Sequence, residues 1–157
     1  MTMPPTNHDT IVLQRTYDAT AARVFEAFAS PQARMRWGAP SPSADIVYDK
    51  ADFRVGGVDL SRCGPPGHLV YSVETRYLDI VPQQRIISTE VVSEGTNRLC
   101  FALITVEFFP AGRDTRLILT DQVAAFGGRS LIEGHRAGHA AALENLTAEL
   151  RRLPADA

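Results

Sequence analysis

Alternating and helical spacings of apolar residues define the first elements of the chain. TIVLQRTYD (10–18) alternates apolar and polar residues, a period of two that predicts a strand. AARVFEAFA, which follows the N-cap candidate Thr20, carries its apolar residues at helical spacing. PQARMRW, which follows Ser30, places proline in a first helical turn, where the missing N–H costs little. The chain is therefore predicted to begin with a strand and two short helices.

The middle of the chain predicts a series of strands. Short runs rich in Val, Ile, Tyr, Phe and Thr are separated by turn sequences such as GPPG, SEGTN and PAGRDT. The connections are too short for crossover helices, so neighbouring strands should be antiparallel. With the first strand they make a predicted sheet of about seven strands. The six runs are 45–50, 57–63, 68–78, 85–93, 98–109 and 114–123.

The pattern at the end of the chain predicts one long helix, over about 129–153. Its apolar face changes character along its length, from glycine, alanine and histidine in the N-terminal half to leucine in the C-terminal half. A twisted sheet curls around such a helix, and its concave face must be filled by the helix, by side chains or by a ligand. We expect the leucine end to be packed shut and the end with Gly134, Gly138 and Ala142 to leave space.

Composition places these elements in one domain. The chain has 157 residues, 45% hydrophobic and 22% charged, the usual balance of a globular protein. We expect a single domain over 10–153 with flexible termini at 1–9 and 154–157.

Charge and targeting features limit the partners. The net charge is −2 and the 16 Lys and Arg form no basic stripe, so nucleic acid is not an expected partner. No secretory leader and no apolar run of membrane-spanning length are present in the sequence, which favours the cytoplasm and no membrane association. Cys63 and Cys100 have no CxxC spacing and are expected to be unpaired thiols in a reducing compartment.

Five stretches in order resemble a known family: RTYDATAARVFEAFASPQARMRW, ADFRVGG, YLDIVPQQRI, TVEFFPAGRDTRLILT and GHRAGHAAALENL. Together they resemble the START-like, helix-grip superfamily (SRPBCC), in the branch named for the activator homologue of the heat-shock protein 90 ATPase. The resemblance implies an α+β fold, in which a curved, seven-stranded, mostly antiparallel sheet wraps around the long C-terminal helix. It also implies a scaffold that binds hydrophobic small molecules, with some members acting as cyclases, hydrolases or co-chaperones.

The chain differs from that branch in its last helix. The family commonly has Gly-Trp where this chain has Gly138 and His139, so an imidazole replaces an indole. This exchange should enlarge the cavity and make it more polar.

His135 and His139 stand one helical turn apart and should share a face. Two such histidines could bind zinc, but the glutamate that follows the first histidine in zinc hydrolases is missing. Three acidic residues are candidates for a third ligand, and none has a diagnostic spacing: Asp121 on the last strand, Glu90 on a middle strand and Glu133 just before the helical segment that carries the histidines. No metal and no cofactor are therefore expected.

Two other roles for the histidines remain open. Asp121, on the inward side of its strand, could orient His139 as an acid or base, although no nucleophile or oxyanion device accompanies it. Alternatively the imidazoles orient a ligand that has one hydrogen-bonding end. The predicted function is binding of a hydrophobic or aromatic small molecule, with a cyclase-like or hydrolase-like enzyme as the alternative. The predicted cavity wall comprises Trp37, Tyr71, Phe101 or its neighbours, Phe126, His135, His139 and Leu143.

Other interactions are less supported by the sequence. A chaperone ATPase-stimulating module is disfavoured, because the chain shows none of the extra domain or linker of the eukaryotic co-chaperones. Homodimer formation stays open. The segment 124–134, which contains Gly127 and Gly128, could be a flap over the cavity or a passive connection.

Overall fold

The computed structural model describes residues 5–152. Its element order is β1 (Asn7–Tyr17), α1 (Ala21–Ala29), α2 (Pro31–Trp37), β2 (Asp45–Lys50), β3 (Val58–Gly64), β4 (Tyr71–Val81), β5 (Arg85–Glu94), β6 (Asn97–Ala111), β7 (Asp114–Ala125) and α3 (Arg129–Arg152). The predicted helix-grip α+β fold is confirmed, with strand limits that differ by at most three residues from the sequence-based ones.

The first strand begins earlier than predicted. Asn7 pairs with Ala125 at the start of an antiparallel β1–β7 ladder, so residues 7–9 belong to the sheet and not to a flexible terminus. Of the other residues assigned to flexible termini, 1–4 and 154–157 lie outside the described residues.

The two short helices begin where the sequence places their caps. Thr20 Oγ1 accepts a hydrogen bond from the Arg23 N–H at 3.2 Å, and Ser30 Oγ accepts one from the Ala33 N–H at 3.1 Å. Each cap satisfies a backbone donor that the first helical turn leaves free. Ser30 also ends α1, so one residue separates the two helices.

All seven strands form one antiparallel sheet in the order β1-β7-β6-β5-β4-β3-β2. The helix α3 packs on the concave face, with its buried residues Leu143 and Leu146 in the core. The hydroxyl of Tyr17 at the end of β1 donates to the Leu143 carbonyl at 2.7 Å and holds the helix to the sheet edge. The leucine half of α3 is therefore packed shut, as the sequence predicts.

Arg36 on α2 makes two hydrogen bonds to the Glu149 carboxylate on α3, at 2.8 and 2.7 Å. Arg23 on α1 donates to the Glu149 backbone carbonyl at 3.0 Å. All three helices thus meet at Glu149, beyond the closed end of the core. Within residues 5–152, no helix has the length and hydropathy that a membrane span requires.

Candidate functional site

A cavity of about 620 Å³ lies between the concave face of the sheet and the N-terminal half of α3. It extends across β2 to β7 and is bordered by α1 and α2 on one side. Its apolar wall includes Ile46, Val73, Ile86, Val92, Ile104, Val106 and Leu119. A volume of this size is typical of sites that enclose a small organic molecule.

The space exists because the residues of α3 that face it are small. Gly134, Gly138 and Ala142 all border the cavity. A Cβ atom added at Gly134 would meet no heavy atom within 4 Å. Directly after Ala142, Leu143 marks the point where the cavity wall becomes packed core.

Five of the residues predicted for the wall border the cavity: Trp37, Tyr71, His135, His139 and Leu143. The indole of Trp37 is 6% exposed and its Nε1 donates to the Ala27 carbonyl at 3.0 Å, so the ring is held in place by the core. Tyr71 is more exposed and lies at the edge of β4.

The placement of Phe101 and Phe126 in the wall is corrected by the structure. Their rings contact each other edge to face, with centroids 5.5 Å apart, and neither borders the cavity. Side chains alternate between the two faces of a strand, and the adjacent Cys100 points inward. Phe101 therefore points to the opposite face, and its neighbour Cys100 takes the place in the wall.

Asp121 on β7 brings the two histidines of α3 together. Its Oδ2 atom lies 2.8 Å from His139 Nε2, in a hydrogen bond. The same oxygen lies 2.6 Å from His135 Nε2, outside hydrogen-bonding geometry. The two imidazole rings meet edge to face with centroids 4.8 Å apart. Asp121, His135 and His139 are called the carboxylate–imidazole cluster below.

The charges of this cluster favour an ionised Asp121. Burial alone would raise the pKa of Asp121, but the two imidazoles hold it well below its usual value. Burial opposes protonation of His135, yet contact with the Asp121 carboxylate raises its pKa overall. Both shifts favour an ion pair between Asp121 and His135 over two neutral groups.

Glu90 on β5 borders the same cavity. Burial raises its pKa, and the charges of His139 and His135 only partly oppose this. Only β6 separates the strand of Glu90 from that of Asp121 in the sheet order, and inward side chains converge on a concave face. A protonated Glu90 would offer the cavity an O–H donor beside the charged cluster.

Sequence reasoning missed a second polar group in the wall. Asp59 on β3 accepts hydrogen bonds from Arg34 Nη2 at 3.0 Å and from the Tyr77 hydroxyl at 2.5 Å. Arg34 also stacks over the Tyr48 ring, 4.8 Å from its centroid. Asp59 and Arg34 are nearly fully buried, so this ion pair ties α2 to the sheet. The only signal in the sequence is that Asp59 stands at an inward position of β3, where an apolar residue would be expected.

Glu133, the remaining candidate for a metal ligand, does not border the cavity. Glu133 belongs to α3 itself and points outward, 3.7 Å from Arg129, so it is no third ligand.

Both cysteines are free and border the cavity. Burial raises the pKa of the Cys63 thiol and raises that of Cys100 to about 11, which keeps both thiols protonated at neutral pH.

The segment 124–134, a flap or a passive connection by its sequence, contains only a short loop. β7 ends at Ala125 and α3 begins at Arg129, so only residues 126–128 link them. Gly128 adopts a φ of 93°, which a glycine accommodates without strain. The rest of 124–134 lies in β7 and α3.

Comparison with known proteins gives one family and several similar structures. The family model described as "Activator of Hsp90 ATPase homolog 1-like protein" matches residues 18–151. No curated protein matches the chain.

Among solved structures, a protein from Rhizobium loti is 36% identical with a TM-score of 0.81, over 93% of this chain and 99% of that one. A protein from Rhizobium leguminosarum is 30% identical with a TM-score of 0.83, over 95% and 98% of the two chains. A protein from Chromobacterium violaceum is 24% identical with a TM-score of 0.81, over 92% and 98%, and supports the fold alone.

Proposed function

We propose that this chain, which belongs to the family of Activator of Hsp90 ATPase homolog 1-like proteins, binds a small molecule with an apolar body and one hydrogen-bonding end. The observation that carries the proposal is the cavity of about 620 Å³, whose wall is mostly apolar except for convergent polar side chains. The family recognised in the sequence supports such a role in general terms, and the ligand class follows from the wall.

The apolar part of the ligand would lie against the aliphatic residues of β4, β5 and β6. The edge of Trp37 and the ring of Tyr71 border this space and favour an aromatic or polycyclic body. Burial of such a body away from water would supply most of the binding free energy.

The polar end of the ligand would meet the carboxylate–imidazole cluster and Glu90. His135 and His139 carry ring N–H groups at the cavity wall, a protonated Glu90 would donate, and the fully buried Asp121 holds the imidazoles in place from outside the wall. A hydroxyl or carbonyl fits this set better than a carboxylate, which would face the Asp121 charge. These few groups would fix the orientation of the ligand.

A second function is supported by the His139–Asp121 hydrogen bond of 2.8 Å. A carboxylate that holds one imidazole nitrogen is the arrangement that orients histidine for proton transfer. A cyclase-like or hydrolase-like reaction on the bound molecule would use His139 in this way. His139→Ala should then abolish conversion of the bound molecule, whereas a pure binding protein would lose only affinity.

The family description names activation of a chaperone ATPase. The features that carry the present proposal lie inside the chain, where a protein partner could not reach them. Addition of the purified chain to a chaperone ATPase assay would test this role, and stimulation of the ATPase would favour it over small-molecule binding.

Native mass spectrometry of the protein purified from its own host tests the proposal. We expect a non-covalent organic adduct that is lost on denaturation, and the adduct mass identifies the ligand. Incubation of that molecule with the wild type and with His139→Ala then separates binding from catalysis. A chain that is free of adduct and fails to rebind the organic extract of its host would contradict the proposal.

A further inference from the structure

The geometry points to a divalent transition-metal site formed by Asp121, His135 and His139. One ligand atom from each residue lies within 4.8 Å of those of the other two. The inference goes beyond the proposed function, because an ion could bind to these side chains whether or not an organic ligand enters the cavity.

The chemistry of the donors selects the class of metal. Two imidazoles and one carboxylate are the protein ligands of catalytic zinc sites, and in a facial arrangement they are the ligands of non-haem iron(II). Both kinds of site leave coordination positions open for water or substrate. Because His135 and His139 border the cavity, those open positions would face the space where an organic ligand would lie.

Unsatisfied polar atoms supply an independent argument. Among the described residues, Asp121 Oδ1 and His135 Nε2 are buried and lack a hydrogen-bond partner. Asp121 itself is fully buried. Buried polar atoms are ordinarily paired, and each exception needs an explanation. A cation bound between the carboxylate and the two imidazoles would coordinate His135 Nε2 and, if the carboxylate binds through both oxygens, Asp121 Oδ1 as well.

The side chains need only a small adjustment to hold an ion. Ligand bonds of about 2.0–2.2 Å place two ligand atoms of a tetrahedral zinc site roughly 3.3 Å apart. Asp121 Oδ2 now lies 2.8 and 2.6 Å from the two Nε2 atoms, so the carboxylate would have to withdraw by less than about 1 Å. The histidines already share one face of α3, since they are four residues apart.

The sequence offers Asp121 as one of three candidate third ligands but gives no spacing that selects it, and the fold explains why. Asp121 precedes His135 by 14 residues and lies on a different element, β7, so no spacing motif links them. The pair meets only because α3 folds back across β7. Glu90, the acidic candidate that borders the cavity, is left free to meet a ligand or a metal-bound water.

Titration of the EDTA-treated protein with Zn²⁺ alone, followed by calorimetry, tests the site. We expect one ion per chain. His135→Ala and His139→Ala should each weaken binding by at least about 100-fold, because loss of a direct ligand costs more than loss of an outer-shell partner. His68→Ala is the matched control, since His68 is exposed in the β3–β4 connection and should leave the affinity unchanged.

Co²⁺ supplies a second measurement that is independent of stability. Co²⁺ bound in a site of low coordination number gives intense visible absorption, which the aqueous ion lacks. We expect this absorption with the wild type and with His68→Ala, and its loss in the two histidine variants when circular dichroism shows them folded. Zn²⁺ binding of equal strength in the wild type and in the histidine variants would show an adventitious ion only and would overturn the site.

Failure of this site and failure of the proposed function give different results. A protein that binds its organic ligand after EDTA treatment and ignores Zn²⁺ retains the proposed function and loses the metal site. A protein that binds Zn²⁺ at His135 and His139 but takes up no organic molecule retains the metal site and loses the proposed function.

Discussion

His139 Nε2 lies 2.8 Å from Asp121 Oδ2, across the junction between α3 and β7. The hydrogen bond joins a helix to the sheet strand that precedes it and fixes where the polar end of the cavity stands. A leucine-rich interface closes the other half of the same helix. The cavity is therefore a consequence of the residue types along one helix face, small and polar first and large and apolar later.

Removing the charge of Asp59 should destabilise the fold. Asp59→Asn leaves the Arg34 guanidinium buried without its counter-ion, and loss of one partner of a buried pair typically costs about 3–5 kcal/mol. Urea unfolding at neutral pH measures the change in the free energy of unfolding. A loss below about 1 kcal/mol would show that Arg34 finds another partner or reaches water.

Replacing both partners of that pair should cost less than replacing one. Arg34→Met with Asp59→Leu removes both charges and leaves no uncompensated ion in the core. We expect the double variant to be more stable than Asp59→Asn in the same urea experiment. Additive losses from the two substitutions would contradict a coupled pair.

The Arg36–Glu149 pair should make stability depend on acid pH. Hydrogen bonds from Arg36 lower the pKa of Glu149 from its ordinary 4.5. A depressed native pKa stabilises the fold above the unfolded value, and this contribution is lost as pH falls through the native pKa. Unfolding free energies measured from neutral pH down through that range should fall less steeply for Glu149→Gln than for the wild type.

An occupied cavity should shield Cys63 from alkylation. Its thiol is half-buried and borders the cavity, whereas Cys100 is 2% exposed. Mass spectrometry after iodoacetamide treatment should show Cys63 modified slowly in the free protein and several-fold more slowly with an aromatic probe bound. Cys100 should react only after unfolding. Equal modification of Cys63 with and without a saturating probe would place the probe outside the cavity.

The sequence predicts the helices and strands better than the cavity wall, because the signals for secondary structure are local. Apolar periodicity and turn residues are local, so β2 is found at 45–50 in both the sequence and the structure. The inward side of Asp121 also follows from alternation along β7. Alternation along β6 likewise turns Phe101 away from the cavity and its neighbour Cys100 toward it.

Contacts between distant segments could not be predicted. The sequence offers Asp121 as a partner for His139 but does not show that it meets both histidines, and it does not show that Arg34 of α2 reaches Asp59 of β3. Such pairs depend on how the helices lie on the sheet, which is decided by packing over the whole core. The carboxylate–imidazole cluster and the Arg34–Asp59 pair are therefore known only from the structure.

Fluorescence titration with N-phenyl-1-naphthylamine, an apolar aromatic probe, tests the cavity as a binding site most directly. Gly134→Leu places a side chain in open space at the cavity, while Ala137→Leu adds a leucine to the exposed side of the same helix. We predict saturable binding to the wild type and to Ala137→Leu. We predict affinity at least about tenfold weaker, or about 1.4 kcal/mol, for Gly134→Leu. Equal affinity in both variants, or no saturable binding to the wild type, would contradict a small-molecule site between the sheet and the last helix.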